Sequence, residues 1–200
     1  MKKVLIVGGV AGGASTAARL RRLDENLEII MFERGEYVSF ANCGLPYHIG
    51  GVIQNRESLL VQTPESLKAR FNLDVRVKSE VIEVNGEDKK VKVKTKNGEE
   101  YEENFDFLVL SPGAKPLFPP IKGIENKKIF TLRNINDMDK IKAEIKNSNI
   151  KKATVVGGGY VGVETAENLK HLGIDTTLIE AAPHILGSFD SEISNILEFE

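Results

Sequence analysis

The sequence predicts an α/β fold of two three-layer domains, each built on a parallel sheet. Three observations carry this. The chain opens on a short apolar run, a glycine-rich turn and an amphipathic stretch, "KKVLIVGGVAGGASTAARLRRL". The same parts return in the same order in Lys152–Glu180, "KATVVGGGYVGVETAENLKHLGIDTTLIE". Between them, Asp74–Glu102 changes to period-two alternation. A strand–turn–helix–strand unit that occurs twice means two Rossmann-like starts in one chain of 200 residues.

The elements follow in order. Lys3–Val7 is apolar and stops at Gly8-Gly9, the pattern of a buried parallel strand. Gly13–Leu23 has helical spacing, with Ala17, Leu20 and Leu23 on one face. Glu28–Glu33, "EIIMFE", is a second buried strand. A basic start and an apolar run give this segment a passing likeness to a secretory leader, but four glycines interrupt the run and a helix follows. The alternating stretch contains Asn97-Gly98, a hairpin signal. Phe105–Leu110 is again a buried strand, ending at Ser111-Pro112-Gly113. Lys115–Gly123 is a proline-rich connector, and Asn136–Asn147 a polar, charged surface helix. In the second unit, Ala153–Val156 is a strand, Gly157–Gly159 a turn, Tyr160–Leu172 a helix stopped by Gly173, and Asp175–Glu180 a strand ending in an acid. The final "SEISNILEFE" is helical in pattern but uncapped, so the second domain is expected to be cut short and the chain to be the N-terminal fragment of a longer protein. The expected domains are residues 1–114 and 115–200.

Composition excludes several functions. The chain is 41% hydrophobic and 28% charged with a net charge of −2, which leaves no basic footprint for nucleic acid. No stretch approaches the length of a membrane span. A single cysteine rules out an internal disulfide framework and suits a reducing, cytoplasmic compartment. No metal site is expected.

The glycine turns carry the binding chemistry. A dinucleotide pyrophosphate needs a tight turn, a backbone it can approach closely and a helix N-terminus aimed at the anion; an acid after the second strand then holds ribose hydroxyls. Gly157-x-Gly159-x-x-Gly162, with Glu180 after the next strand, meets each requirement. The first turn runs Gly8, Gly9, Val10, Ala11, Gly12, Gly13, with Val10 where the middle glycine would stand; Glu33 supplies the acid. Two dinucleotide sites suggest a flavin next to a nicotinamide, with a hydride passed between them.

The one cysteine lies in "YVSFANCGLPYHIGG". This loop, with "VGGVAGGAS", "LVLSPGAKP", "FTLRN" and "VVGGGYVGVE.AENL", resembles the flavoprotein pyridine nucleotide–disulfide oxidoreductases over the whole chain. Within them it is most similar to the single-cysteine subgroup of coenzyme A disulfide reductase, where a valine at the position of Val10 is usual. The resemblance implies FAD in the first unit. Gly8, Val10, Ala11 and Gly12 would lie along the pyrophosphate, and Glu33 would hold the adenosine ribose. Arg34 and the Val81 backbone would flank the adenine, and Asn42, Ser111–Gly113 and Arg133 would lie near the flavin. The second unit would bind NADH or NADPH through Gly157, Gly159, Val161, Gly162 and Glu180. Tyr160 would stand as an aromatic gate over the flavin ring, with Glu164 near the nicotinamide. An acid at Glu180 repels a 2′-phosphate by about 1–4 kcal/mol per charge pair at roughly 4 Å, and no arginine follows it, so NADH is the expected donor.

Two-cysteine relatives carry a second cysteine five residues after the first; here that position is His48. By resemblance, Cys43 forms a mixed disulfide with coenzyme A, which is split by two electrons from NAD(P)H through FAD, and the thiolate then attacks the next coenzyme A disulfide. That chemistry needs an exposed sulfur and a lowered thiol pKa. Ser15, Arg19, Arg22, Ser39 and Asn42 would contact the coenzyme, with Lys68 or Arg70 as a further phosphate contact. The plain alternative for the arginines is a solvated helix face, and for Tyr160 simple packing. His48 is read as an incidental loop histidine or an aid to protonation, and His171 and His184 as surface residues. The resemblance also implies a homodimer at full length and an inactive fragment. Rival readings are a coenzyme A persulfide or polysulfide reductase, an NADH oxidase or peroxidase with a Cys43 sulfenic acid, and a flavin-bound redox sensor.

Overall fold

Val4, Leu5 and Ile6 leave no polar side chain for a solvent face, and Lys3–Val7 forms the central strand β1 of a parallel sheet. The computed structural model describes residues 1–198. Glu28–Glu33 (β2) pairs with β1 in parallel, Val4 opposite Ile29 and Ile6 opposite Met31. Asp74–Val77 (β3) extends the sheet beyond β2, and Phe107–Leu110 (β7) lies on the other side of β1, giving the order β3-β2-β1-β7. The expected alternating run is therefore split: β3 belongs to the parallel sheet, not to the antiparallel one. Lys78, at a φ of 54°, turns the chain out of the sheet and donates its N–H to the Gly35 carbonyl. Ser79–Asn85 (β4), Lys90–Thr95 (β5) and Glu100–Asn104 (β6) then form an antiparallel meander. The β5–β6 turn is the expected hairpin, closed by Gly98 at a φ of 86° with its N–H on the Thr95 carbonyl.

Because side chains alternate across a strand, the parallel sheet has two apolar faces to bury. Ala11–Leu23 (α1) and Pro64–Phe71 (α3) cover one, where Ala14, Ala17, Leu67 and Leu73 meet Val4, Ile6, Ile29 and Met31. The meander covers the other, where Val91 and Val93 meet Leu5, Ile30 and Phe32. Thr63 caps α3 reciprocally with Ser66. Arg21 of α1 is buried and donates to the carbonyls of Phe71, Asn72 and Glu25, tying the end of α1 to the end of α3. Arg76 of β3 reaches Glu103 of β6 at 2.7 Å, and Glu103 in turn meets Lys3 at 2.9 Å, linking sheet to meander. Phe107 and Leu110, expected to be buried, are 52% and 60% exposed because β7 has a neighbour on one side only.

The chain divides into two compact units: Met1–Phe40 with Leu60–Ala114, and Ala41–Leu59 with Lys115–Glu200. The second has a parallel pair, Lys152–Val156 (β8) and Asp175–Ile179 (β9), with Tyr160–His171 (α5) between them and Ser191–Glu198 (α6) after them. Ile135–Ser148 (α4) is amphipathic rather than wholly a surface helix: Ile135 and Met138 are fully buried, and Asn134 caps it by accepting the Asp137 N–H. The loop segment Ala41–Leu59 carries a 3₁₀ turn at Asn42–Gly44, the short helix Leu45–Ile49 (α2) and a second 3₁₀ turn at Arg56–Leu59.

Gly8 sits at a φ of 100°, and a Cβ there would lie 1.9 Å from the Ser111 carbonyl oxygen. Gly8→Ala should destabilise the full-length protein by at least about 2 kcal/mol through strain and overpacking, measured as the shift of the urea midpoint.

Candidate functional site

The two glycine turns are built to one plan. In the first, Gly8 donates its N–H to the Phe32 carbonyl at 2.8 Å; in the second, Gly157 donates to Ile179, also at 2.8 Å. Each bond ties the turn to the end of the neighbouring strand. The helix then starts so close to the turn that only glycine fits: a Cβ at Gly13 or Gly162 would lie 1.8 Å from the carbonyl oxygen of Gly8 or Gly157. The acids complete the match. Glu33 accepts N–H bonds from Gly9 at 2.9 Å and Gly35 at 2.7 Å. Glu180 accepts from Gly158 at 2.5 Å and Ala182 at 2.8 Å. Backbone donors thus fix each carboxylate beside its turn. The Ala182 and Gly158 N–H groups hold the Glu180 carboxyl below the usual carboxylate range, so it stays ionised.

These turns fit dinucleotides. At Gly159 a Cβ would meet nothing within 4 Å, so the second turn leaves open space at the helix N-terminus, where an anion could be held. In the first turn Ala11 and Gly12 are exposed at the same end of α1, and a Cβ at Gly12 would approach the Ser111 hydroxyl at 3.2 Å. Ser111 follows β7 and donates its N–H to Val7, which puts it beside that turn; Gly113 comes next at a φ of 66°. Val10 stands as the non-glycine N-cap of α1. Arg34 is exposed after β2, and Val81 lies in β4 opposite Val93, its side chain against the meander core.

Ser15, Arg19 and Arg22 fall on one exposed face of α1, and Lys68 and Arg70 are exposed on α3. Ser39 is held at a φ of 46°, its N–H on the Gly9 carbonyl and its own carbonyl accepting from Val61 and Gln62. A non-glycine residue in that region is a strained position at the mouth of the cysteine loop.

In the second unit the Cys43 sulfur is exposed. Asn42 beside it has a buried Oδ1 without a hydrogen-bond partner. Gly44 is required after it: a Cβ would lie 2.6 Å from Leu59 and 3.2 Å from Ile53. His48 is a buried residue of α2, not a loop histidine; its Nδ1 lies 2.7 Å from the Ile53 carbonyl and its Nε2 3.0 Å from Lys142 of α4. This contact is absent from any local sequence pattern. Gly50 at the end of α2 packs on Asn168 of α5, where a Cβ would lie 2.1 Å from Oδ1. Tyr47 points its hydroxyl at Glu164, 3.5 Å away, and that carboxylate pushes the phenol pKa up. Tyr160 and Val161 are exposed at the start of α5, the Tyr160 ring edge-on to Phe189 at 5.8 Å. Arg133 is half-buried before α4, its N–H on Asp137. His171 is exposed; His184 lies 3.4 Å from Glu198 without hydrogen-bond geometry. Among the described residues no cluster could hold a metal ion and no helix is long and apolar enough to cross a membrane.

Residues 2–200 match the family model of pyridine nucleotide-disulphide oxidoreductases. The chain belongs to that family. It is 40% identical over 198 residues to coenzyme A disulfide reductase of Staphylococcus haemolyticus, covering 98% of this chain and 44% of the relative. The crystal structure of reduced CoADR-RHD from Bacillus anthracis superposes with a TM-score of 0.96 at 56% identity, covering 99% of this chain and 36% of that one. A NAD-dependent persulfide reductase from A. fulgidus superposes with a TM-score of 0.92 at 36% identity, covering 98% and 37%. The chain thus spans less than half the length of these relatives.

Replacing Glu33 by Gln removes a charged acceptor shared by two N–H donors, a loss of about 1.5–3 kcal/mol. The full-length Glu33→Gln protein should show a lower urea midpoint than wild type, by an amount corresponding to that loss.

Proposed function

We propose that the whole protein is an FAD-dependent NAD(P)H:disulfide oxidoreductase that reduces coenzyme A disulfide through Cys43. The observation that carries this is the exposed Cys43 sulfur with the position five residues on filled by a buried, fully bonded histidine. No second sulfur is available at that position, so electrons delivered there go to a species bonded to Cys43 from outside or to an oxidised form of Cys43 itself. The coenzyme A disulfide reductases at 40% and 43% identity favour coenzyme A as that partner.

The chain's own residues then do the following. The Cys43 thiolate attacks one sulfur of the coenzyme A disulfide, forming a Cys43–coenzyme A mixed disulfide and releasing one coenzyme A thiolate. Bound FAD supplies the two-electron relay from the nicotinamide. Two electrons and one proton cleave the mixed disulfide to the second coenzyme A thiol and the Cys43 thiolate. Arg19 and Arg22 present cations for the phosphates of coenzyme A from one face of α1. Glu180, already ionised and oriented, accepts ribose hydroxyls and disfavours a 2′-phosphate, so NADH is the preferred donor. The full-length protein is a cytoplasmic homodimer in this reading. Reduction of a coenzyme A persulfide is the second reading, favoured by the likeness to the A. fulgidus persulfide reductase.

With the complete protein under anaerobic conditions, coenzyme A disulfide should drive NADH oxidation, and Cys43→Ser should abolish it, a fall of at least about 1000-fold. A strong preference for the persulfide would assign the second reading. Disulfide turnover that survives Cys43→Ser would overturn both.

Glu180 has a depressed pKa, so its contribution holds above the usual carboxylate pKa and is lost only as the pH falls through the lower folded value. NADH affinity should therefore be flat between about pH 6 and 8, and Glu180→Gln should narrow the NADH-over-NADPH preference by about tenfold in kcat/KM.

A further inference from the structure

His48 has no free ring nitrogen. With Nδ1 2.7 Å from the Ile53 carbonyl, that nitrogen must carry the proton, since a carbonyl only accepts. Nε2 is then the acceptor, and it takes a hydrogen bond from the Lys142 ammonium at 3.0 Å. The same ammonium donates to the His48 backbone carbonyl at 2.8 Å. Lys142 therefore fixes both the ring and the backbone of one residue in the last turn of α2. The contacts run on toward the thiol. His48 holds Ile53, and Ile53 packs on Gly44, the residue after Cys43. A second clamp stands beside the first: Arg56 pairs with Asp139 of α4 at 2.7 Å.

Resting on the reading that Cys43 is the redox thiol, we propose that Lys142 is a positioning residue for Cys43, acting through a neutral His48 whose tautomer it locks. His48 is consequently not the proton donor of the reaction. It fills the place of a second sulfur with a bonded strut. Burial pushes the Lys142 pKa down, against the opposing pull of Asp139, whose own charge is shared with Arg56. The groups shown acting on Lys142 are His48 on α2 and Asp139 on α4, and Asp139 is itself paired with Arg56 on the second 3₁₀ turn.

The test uses the full-length, FAD-loaded protein and reads the second-order rate of iodoacetamide alkylation of reduced Cys43 between about pH 7 and 9, beside the rate of flavin reduction by NADH. Lys142→Met should slow alkylation and Cys43-dependent disulfide turnover together by at least about fivefold, while flavin reduction stays within about twofold; Lys142→Arg should recover at least about half of the lost rate. His48→Gln, which keeps one donor and one acceptor, should alkylate within about threefold of wild type, whereas His48→Phe should match Lys142→Met. Wild-type alkylation kinetics in Lys142→Met, whatever its melting temperature, would overturn the proposal. So would equal rates in His48→Gln and His48→Phe, a comparison that stands if Lys142→Met fails to fold. Turnover of coenzyme A disulfide that survives Cys43→Ser would instead strike the proposed function and leave the alkylation comparison intact.

Discussion

Everything in both units hangs on one steric constraint: a helix must start within touching distance of the turn that precedes it. Gly13 lies against the Gly8 carbonyl and Gly162 against the Gly157 carbonyl, each with room for hydrogen alone. That approach brings the first N–H groups of α1 and α5 to the ends of β1 and β8, where an anion can be held without a side chain. It also sets the distance at which an acid on the next strand meets the turn. Glu33 and Glu180 each take two backbone N–H donors, which orient both carboxylates without help from a lysine or arginine. The price is rigidity, since a side chain at Gly13 or Gly162 would push the helix off its strand.

The cysteine segment obeys the same logic with different atoms. Gly44 and Gly50 are the points where α2 and its preceding 3₁₀ turn come closest to their neighbours, Leu59 on one side and Asn168 on the other. Between those contacts the segment buries Leu45, Ile49 and Leu59, and polar bonds fasten it further: His48 to Ile53 and Lys142, and Arg56 to Asp139. Directional bonds of this kind add a fixed orientation to what apolar packing alone holds in place. The thiol is left exposed on a scaffold that holds its neighbours still.

Much of this was legible in the chain. β1, β2 and the Asn97-Gly98 hairpin follow from local pattern alone, because apolar runs and turn residues act within a few positions. The two turn-and-acid pairs were equally plain. What could not be read depends on contacts between distant residues. The left-handed kink at Lys78 that splits β3 from β4 has no glycine or asparagine to announce it. Arg21 looks like its neighbours Arg19 and Arg22, yet it is buried on backbone carbonyls of a segment some 50 residues away, with the Phe71 pair separated by 50 positions. His48 and Lys142 are 94 positions apart, and neither carries a local sign of the other. Met138 marks a buried face that the charged residues around it conceal.

The segment Ala41–Leu59 lies inside the sequence of the first unit and packs in the second. Its two ends are pinned side by side: Phe40 bridges Leu60, and the Ala41 N–H bonds the Leu59 carbonyl at 2.8 Å. A loop whose ends already touch behaves like a cartridge in a fixed socket. Its contents can change, even in length, at small entropic cost to the sheet that hosts the socket. A segment closed in this way can change while both glycine-turn frames stay as they are.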